Sequence, residues 1–210
     1  MRLNIEAQLK TTTRTVSSPE RNGKPVHAVS VVRSYPTTVE DLWDAVTNGE
    51  RISRWFLPIS GDLKPGGRYQ FEGNAGGLVT ACERPSHFEV TWEFGGDVSW
   101  VEARICEDAN GHARLRLTHT ARHSKHWDEY GPGAAGVGWE MGLMGLSNHI
   151  TQPEAPLQDE AEFAASPEGR AFMVGSSEAW ETAAVGAGTD PAVARTAAER
   201  TAAFYTGDSA

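Results

Sequence analysis

Alternation of apolar and polar residues along the middle of the chain is the feature that most restricts its fold. Between residues 68 and 120, short segments with an apolar residue at every second position are separated by turn residues. In segment 87–94, for example, every even-numbered residue is aliphatic or aromatic and would point to one face of a strand. The pair Asn110-Gly111 is a strong hairpin signal. The sequence therefore predicts five or more antiparallel strands whose shared apolar face must be covered.

A long helix, predicted from about Ala134 to Ile150, would cover that face. Gly138, Gly142 and Gly145 fall on one side of it. Because a glycine inside a helix costs about 1 kcal/mol relative to alanine, this stripe indicates either a close approach of another segment or an open space. We interpret the helix as the wall of a cavity, and a tightly packed helix without a cavity is the alternative. A neighbouring stripe is large and apolar: Trp139, Leu143, Leu146 and Ile150.

The remaining segments suggest one main domain with an appendage. Residues 5–34 predict two strands around a turn, and two short helices follow before the run of hairpins. We expect residues 1–150 to form the domain and residues 151–210 to form a linker and a two-helix C-terminal extension. The helices of the extension should begin at Ser166-Pro167 and Asp190-Pro191. Their apolar sides should pack on the parent domain or on a second subunit, so a homodimer is one possibility.

Charge and composition exclude several classes of protein. A formal net charge of −9 disfavours a nucleic-acid partner and an anionic membrane surface. The N-terminal residues lack an apolar leader, and no run of about 18 apolar residues occurs. We therefore predict a soluble, cytoplasmic protein. Cys82 and Cys106 lie in predicted strands, where we expect reduced, buried thiols.

Five short motifs occur in an order that resembles one known family. They are Tyr35-Pro36-Thr37-Thr38-Val39-Glu40-Asp41-Leu42-Trp43-Asp44-Ala45-Val46-Thr47, Arg54-Trp55-Phe56, Gly61-Asp62-Leu63-Lys64-Pro65-Gly66-Gly67, Val90-Thr91-Trp92 and Gly138-Trp139-Glu140. Over roughly residues 28–150 the chain resembles the START-like (SRPBCC) superfamily, in particular its heat-shock-protein-90 ATPase activator-like branch. The resemblance implies an α+β helix-grip fold, in which a curved antiparallel sheet wraps around a long helix and leaves an apolar pocket between them.

Aromatic residues are the best candidates for a binding site, because small-molecule pockets are mostly apolar with few polar groups. His119 shares the inward face with Leu115 and Leu117, where it would be either a core histidine with a satisfied hydrogen bond or a polar contact for a ligand. The predicted ligand-binding residues are Trp55, Tyr69, Phe71, Phe88, Trp92, His119, Trp139 and Leu143.

No metal site or cofactor is predicted. His119, His123 and His126 follow one another closely, but this run crosses from a strand into a loop, so the spacing does not make the three side chains converge. The sequence also contains no nucleophile elbow and no phosphate-binding loop.

Three functions remain open. The first is binding of a small hydrophobic or aromatic molecule in an internal cavity without catalysis. The second is an enzyme of the cyclase or dehydratase type, with His119 as a weak catalytic candidate that moves a proton in a dry pocket. The third, suggested by the name of the family branch, is a protein that interacts with a chaperone. Fold alone does not decide among these three functions.

Overall fold

The computed structural model describes residues 5–157 and 159–208. In this part of the chain the strands are β1 (Thr13–Ser17), β2 (Glu20–Arg21), β3 (Lys24–Tyr35), β4 (Ile59–Gly61), β5 (Arg68–Phe71), β6 (Gly76–Glu83), β7 (His87–Phe94), β8 (Asp97–Glu107) and β9 (Ala113–Arg122). The helices are α1 (Ile5–Lys10), α2 (Val39–Thr47), α3 (Gly49–Ile52), α4 (Lys125–Tyr130), α5 (Gly133–Thr151), α6 (Glu160–Ala165), α7 (Pro167–Gly186) and α8 (Pro191–Thr206).

These residues divide into two compact units. The first unit contains the described residues of segments 1–31, 122–141 and 158–210, and the second contains segments 32–121 and 142–157. Strand β3 and helix α5 each contribute residues to both units. None of the described helices has the length and hydrophobicity that crossing a lipid bilayer requires.

The sheet of the second unit follows the hydrogen-bonding order β3-β9-β8-β7-β6-β5-β4. The strands from β4 to β9 pair antiparallel with their neighbours in sequence, as the alternating pattern predicts. Aliphatic residues at every second position of three adjacent strands are buried and form the core of this face. They are Val90, Val101, Ala103, Ile105, Leu115 and Leu117.

Helices α2 and α3 precede this meander and begin at capped positions. The Thr38 side chain accepts a hydrogen bond from the Asp41 backbone N–H, and Asn48 does the same for Glu50, so each helix has one otherwise unpaired donor satisfied. Leu42 and Trp43 bury the inner side of α2. The order of a strand, two short helices, a meander and one long helix is the order that the sequence predicts.

The glycine stripe of α5 does not border an open space, so that part of the prediction was wrong. In the second unit, a Cβ atom on Gly145 would lie 2.5 Å from the carbonyl oxygen of Trp55, and one on Gly142 would lie 3.5 Å from the ring of Phe56. In the first unit, a Cβ on Gly138 would lie 3.0 Å from the Tyr205 hydroxyl. The close approach of other segments therefore explains why small residues occupy this side of the helix.

The first unit is mainly helical. Helix α7 packs against β1 and α1, and α8 packs against α7 and α4. Both α7 and α8 begin with proline after the capping residues Ser166 and Asp190, as predicted. The C-terminal segment also contains the short helix α6, which was not predicted from the sequence. The division into a domain of residues 1–150 and an extension of residues 151–210 stays a prediction.

Two local expectations were wrong. Residues 5–10 form helix α1 rather than a strand, since their side chains are good helix formers and Glu6 pairs with Lys10 one turn later. Cys82 and Cys106 are free but exposed, not buried. Cys106 follows the buried Ile105 on β8, and alternation therefore turns its side chain to the outer face of the sheet.

Candidate functional site

The inner face of the sheet in the second unit changes character along three neighbouring strands. Toward one end of β8 and β9 the face is aliphatic and buried, and on β7 Val90 is buried between the half-buried Phe88 and Trp92. Two residues further along each strand the side chains become aromatic or polar and only half-buried. The three steps are Val90 to Trp92, Val101 to Ser99 and Leu117 to His119. This end of the face is the candidate site, because it presents polar and aromatic groups that the core does not fully enclose.

Ring contacts join six side chains at this end into one group, which we call the aromatic cluster. The ring centroids of Trp92 and His119 are 6.2 Å apart, and those of Phe71 and Trp92 are 5.7 Å apart. Phe56 meets Phe71 edge-on at 5.1 Å. Edge-on and tilted contacts at such distances are favourable for aromatic rings. The cluster consists of Trp55, Phe56, Tyr69, Phe71, Trp92 and His119.

Hydrogen bonds fix the polar atoms at the border of the aromatic cluster. The Tyr69 hydroxyl donates to the carbonyl oxygen of Thr91 at 2.7 Å. The indole N–H of Trp55 donates to the carbonyl oxygen of Ala45 at 2.9 Å. Burial raises the pKa of Tyr69, so its hydroxyl stays protonated and remains a donor. The two rings are thereby held in place by the backbone.

His119 is the polar centre of the cluster. Its Nε2 lies 2.8 Å from Oγ of Ser99, and that hydroxyl donates to the carbonyl oxygen of Trp92 at 3.1 Å. Since the Ser99 hydroxyl has given its hydrogen to Trp92, it accepts from His119, which places the imidazole proton on Nε2. Burial lowers the pKa of His119 to about 4. The imidazole is therefore neutral at pH 7.

Not every predicted site residue joins the aromatic cluster. Phe88 packs edge-on against Trp43 of α2 at 6.0 Å. Leu143 is buried, and its carbonyl oxygen accepts a hydrogen bond from the Tyr35 hydroxyl at 3.5 Å. Trp139 belongs to the first unit. Phe56 joins the cluster although it was not among the predicted site residues, and its position beside Trp55 in the Arg54-Trp55-Phe56 motif was the available signal.

A polar network that the sequence did not predict connects α2, α3 and the end of α5. Arg51 Nη1 donates to the carboxylates of Asp41 at 2.7 Å and Asp44 at 3.2 Å. Arg51 Nε donates to Nε2 of His149 at 3.3 Å. His149 is only 7% exposed. Because its Nε2 is an acceptor, the ring is neutral with its proton on Nδ1.

Acidification should weaken the fold through these two histidines. Burial lowers the pKa of His149, the cations of Arg51 and Arg54 lower it further, and Asp41 opposes the shift. A histidine with a lowered pKa binds more protons when unfolded, so stability is present above about pH 6.5 and is lost as the pH falls below it. For His119 this loss of stability continues down to about pH 4. Its upper limit is about 3 kcal/mol of unfolding free energy, and solvent near the half-buried ring makes the true value smaller.

Urea unfolding at pH 7, 6 and 5 measures this effect. We expect the free energy of unfolding to fall over this range, and the fall to be smaller in His119→Gln and in His149→Gln. The exposed His112 provides the matched control, and His112→Gln should keep the slope of the wild type. Equal slopes in all four proteins would contradict the assignment.

An open cleft of about 570 Å³ lies elsewhere in the second unit, beside α3 and β4. It is lined by Asn48, Gly49, Glu50, Ser53, Ile59, Ser60, Gly61 and Leu63. None of these residues belongs to the predicted site. Within residues 5–157 and 159–208, no group of three or more histidine, cysteine, aspartate or glutamate side chains is arranged to hold a metal ion.

Comparison with solved structures gives similar proteins over most of the chain. The solution structure of CalU16 from Micromonospora echinospora is 27% identical, covers 94% of this chain and 97% of that chain, and has a TM-score of 0.63. The crystal structure of the same protein is 31% identical over 68% of this chain and 87% of that chain, with a TM-score of 0.58. None of the curated proteins compared with the chain matches it.

A more distant structure shares the fold alone. The Aha1 dimer from Colwellia psychrerythraea is 14% identical, covers 61% of this chain and 98% of that chain, and has a TM-score of 0.52. These likenesses confirm the α+β helix-grip fold with a curved antiparallel sheet.

The family model described as "Activator of Hsp90 ATPase homolog 1-like protein" matches residues 36–151. The match takes in more than half of the chain and contains all of the aromatic cluster. The chain belongs to this Activator of Hsp90 ATPase homolog 1-like family of START-like proteins.

Proposed function

We propose that the protein binds a small, uncharged aromatic or otherwise hydrophobic molecule at the aromatic cluster, without catalysing a reaction. The observation that carries this proposal is the change along the inner sheet face from buried aliphatic residues to half-buried Trp92, Ser99 and His119. Half-buried rings beside one fixed polar group are typical of small-molecule sites.

The chemistry of the cluster supports a neutral guest. Five of its six members are aromatic side chains without charge, and the sixth, His119, is neutral at pH 7 because burial lowers its pKa. A carboxylate guest such as a fatty acid would find no cation among these six residues. An aromatic guest would gain offset or edge-on contacts with the half-buried rings of Phe56 and Trp92.

The protonation of His119 favours binding over the cyclase or dehydratase alternative. A general base works best when its pKa lies near the working pH. Burial lowers the pKa of His119 to about 4, so the ring is a weak base. Its Nε2–H is also hydrogen-bonded to Ser99. This bond fixes the orientation of the imidazole ring and does not favour transfer of its proton to a substrate. The chaperone-interacting alternative rests on the family description alone.

Tryptophan fluorescence tests the proposal directly. Titration with a neutral polycyclic phenol is expected to change the emission of the wild type, and Trp92→Phe should lose most of this change. Trp100→Phe is the matched control, because Trp100 is next to Ser99 on β8 and alternation turns it to the opposite face. It should respond as the wild type does.

Affinity measurements complete the test. His119→Phe keeps an aromatic ring but removes the hydrogen-bonding nitrogens, and we expect about 3- to 10-fold weaker binding, the loss of one hydrogen bond. A fatty acid of similar size should bind more weakly than the phenol to the wild type. No binding by any phenol, sterol or fatty acid, or an unchanged response in Trp92→Phe, would refute the proposal.

A further inference from the structure

Two histidines from distant parts of the sequence meet in the first unit. Nε2 of His27, on β3, lies 3.0 Å from Nδ1 of His123, which follows β9. The other nitrogen of His123, Nε2, lies 3.2 Å from a carboxylate oxygen of Asp128 in α4. The His27 ring is stacked on Trp127, with centroids 4.1 Å apart and planes only 5° from parallel. These four side chains form the histidine pair site.

One hydrogen bond and one ion-pair contact indicate the tautomers of the two rings. Nε2 of His123 lies within ion-pair distance of Asp128, whose carboxylate can only accept, and this favours the tautomer with a lone pair on Nδ1. His27 then donates its own Nε2–H to that nitrogen. One ring nitrogen with a lone pair therefore already faces the second ring nitrogen at hydrogen-bonding distance.

We propose that His27 and His123 together bind a divalent transition-metal ion, with Zn²⁺ as the representative of the class. Zinc–nitrogen bonds are about 2.0–2.1 Å long, so two imidazole nitrogens on one ion lie about 3.0–3.4 Å apart. The observed 3.0 Å lies at the lower end of this range. On binding, His27 gives its Nε2 proton to solvent and takes up one at Nδ1, so both rings stay neutral. The two rings turn so that their lone pairs meet at the ion, which lies to one side of the line between the two nitrogens.

The surroundings of the pair match those of metal-binding histidines. Such ligands usually donate their second N–H to a carboxylate, which fixes the tautomer and raises basicity. Asp128 has this position relative to His123. The stacked Trp127 limits rotation of His27. Imidazole ligands select Zn²⁺, Cu²⁺, Ni²⁺ and Co²⁺ over Mg²⁺ and Ca²⁺, which prefer oxygen.

The site would be an open one. No group of three or more such ligands is found in the part of the chain that the structure describes. The remaining coordination positions would therefore be filled by water or by an incoming donor. Two imidazoles give a moderate affinity, and this distinguishes the site from a closed structural zinc site with four protein ligands.

Isothermal titration calorimetry of untagged full-length protein tests the inference, with ZnCl₂ and MgCl₂ as the two titrants. We expect Zn²⁺ to bind one ion per chain and Mg²⁺ not to bind. His27→Gln and His123→Gln should each weaken Zn²⁺ binding at least 10-fold, and Asp128→Asn should weaken it about 10-fold through its neighbour. The exposed His112 gives the control, since His112→Gln should bind as the wild type does.

Several outcomes would overturn the inference. Absence of Zn²⁺ binding to the wild type, equal heats with Mg²⁺, or wild-type affinity in His123→Gln would each do so. Because His27 is half-buried, the circular dichroism of His27→Gln is compared with that of the wild type to check that the variant folds. His123 is 61% exposed, so His123→Gln gives a decisive result even if the other variant unfolds.

Discussion

Replacing Glu140 by alanine is expected to lower the free energy of unfolding by about 3–5 kcal/mol, the usual cost of breaking a buried ion pair. Glu140 is 2% exposed and lies on α5 in the first unit. Both of its carboxylate oxygens accept hydrogen bonds from the guanidinium of Arg14, one from Nε at 2.7 Å and the other from Nη2. Ser176 of α7 donates to the same carboxylate at 2.9 Å.

The cost arises mainly from what the substitution leaves behind. The Arg14 side chain is only 9% exposed, so removal of the carboxylate would leave a buried cation without its counter-charge. Arg14 Nη1 also donates to the carbonyl oxygens of Leu9 and Thr12, which holds the guanidinium in place. It could therefore not move to solvent without breaking further hydrogen bonds.

Urea denaturation of four proteins tests this reasoning. Glu140→Ala and Arg14→Ala should each be strongly destabilised, whereas the double variant Arg14→Met/Glu140→Leu should be more stable than either, because it buries no charge. Ser176 would lose an acceptor in that double variant, so a residual deficit is expected. A loss below about 1 kcal/mol in both single variants would contradict the prediction.

Replacing Trp180 by alanine is the second substitution for which we expect a large effect, again about 3–5 kcal/mol. Trp180 of α7 is 1% exposed and lies against Gly136 of α5. A Cβ atom on Gly136 would lie 2.1 Å from the indole ring, so Gly136→Ala should also be strongly destabilising. The two residues form a contact between α7 and α5, in which the Trp180 ring fits only because residue 136 has no side chain.

A conservative change at Trp180 separates packing from hydrogen bonding. The indole Nε1 is buried without a hydrogen-bond partner. Trp180→Phe removes this donor, whose burial without a partner costs about 1–3 kcal/mol. Removing that cost offsets part of the stability lost because the phenyl ring fills less volume. We therefore expect Trp180→Phe to be much milder than Trp180→Ala.

Thermal and urea unfolding of Trp180→Ala, Trp180→Phe and Gly136→Ala measure these differences. Phe204 on α8 gives a matched aromatic control, because it is 61% exposed and Phe204→Ala should change stability by less than about 0.5 kcal/mol. If Trp180→Phe lowered the stability as much as Trp180→Ala, the indole N–H would contribute a hydrogen bond, which contradicts its unpartnered position.

Local patterns in the sequence were sufficient for the meander and for the long helix, whereas the helix-grip arrangement of the two came from the family resemblance. The alternation in segment 87–94 predicts strand β7, and the glycine-interrupted helix from about residue 134 to 150 is α5. Alternation also assigns Trp92 and His119 to the inner face. It does not say where along that face a side chain lies, and for this reason Phe88, on the same face as Trp92, packs against Trp43 instead of joining the cluster.

Contacts between distant segments were beyond the reach of pattern analysis. Arg14 and Glu140 are 126 residues apart, and Arg51 and His149 are 98 residues apart. Such pairs depend on the tertiary packing of whole elements, and no spacing rule connects them. The same holds for the glycine stripe of α5. Its composition indicated a close neighbour or an open space, and only the positions of Trp55 and Phe56 decided between them.

The exposure of Cys82 and Cys106 affects how self-association of this protein should be measured. Thiols at the surface react with air and with one another, and preparations without reductant would accumulate covalently linked chains. A cross-linked band on a gel would then imitate a native pair of subunits. Sedimentation or light scattering in fresh reducing buffer, with a Cys82→Ser/Cys106→Ser variant alongside, would distinguish the artefact from genuine association.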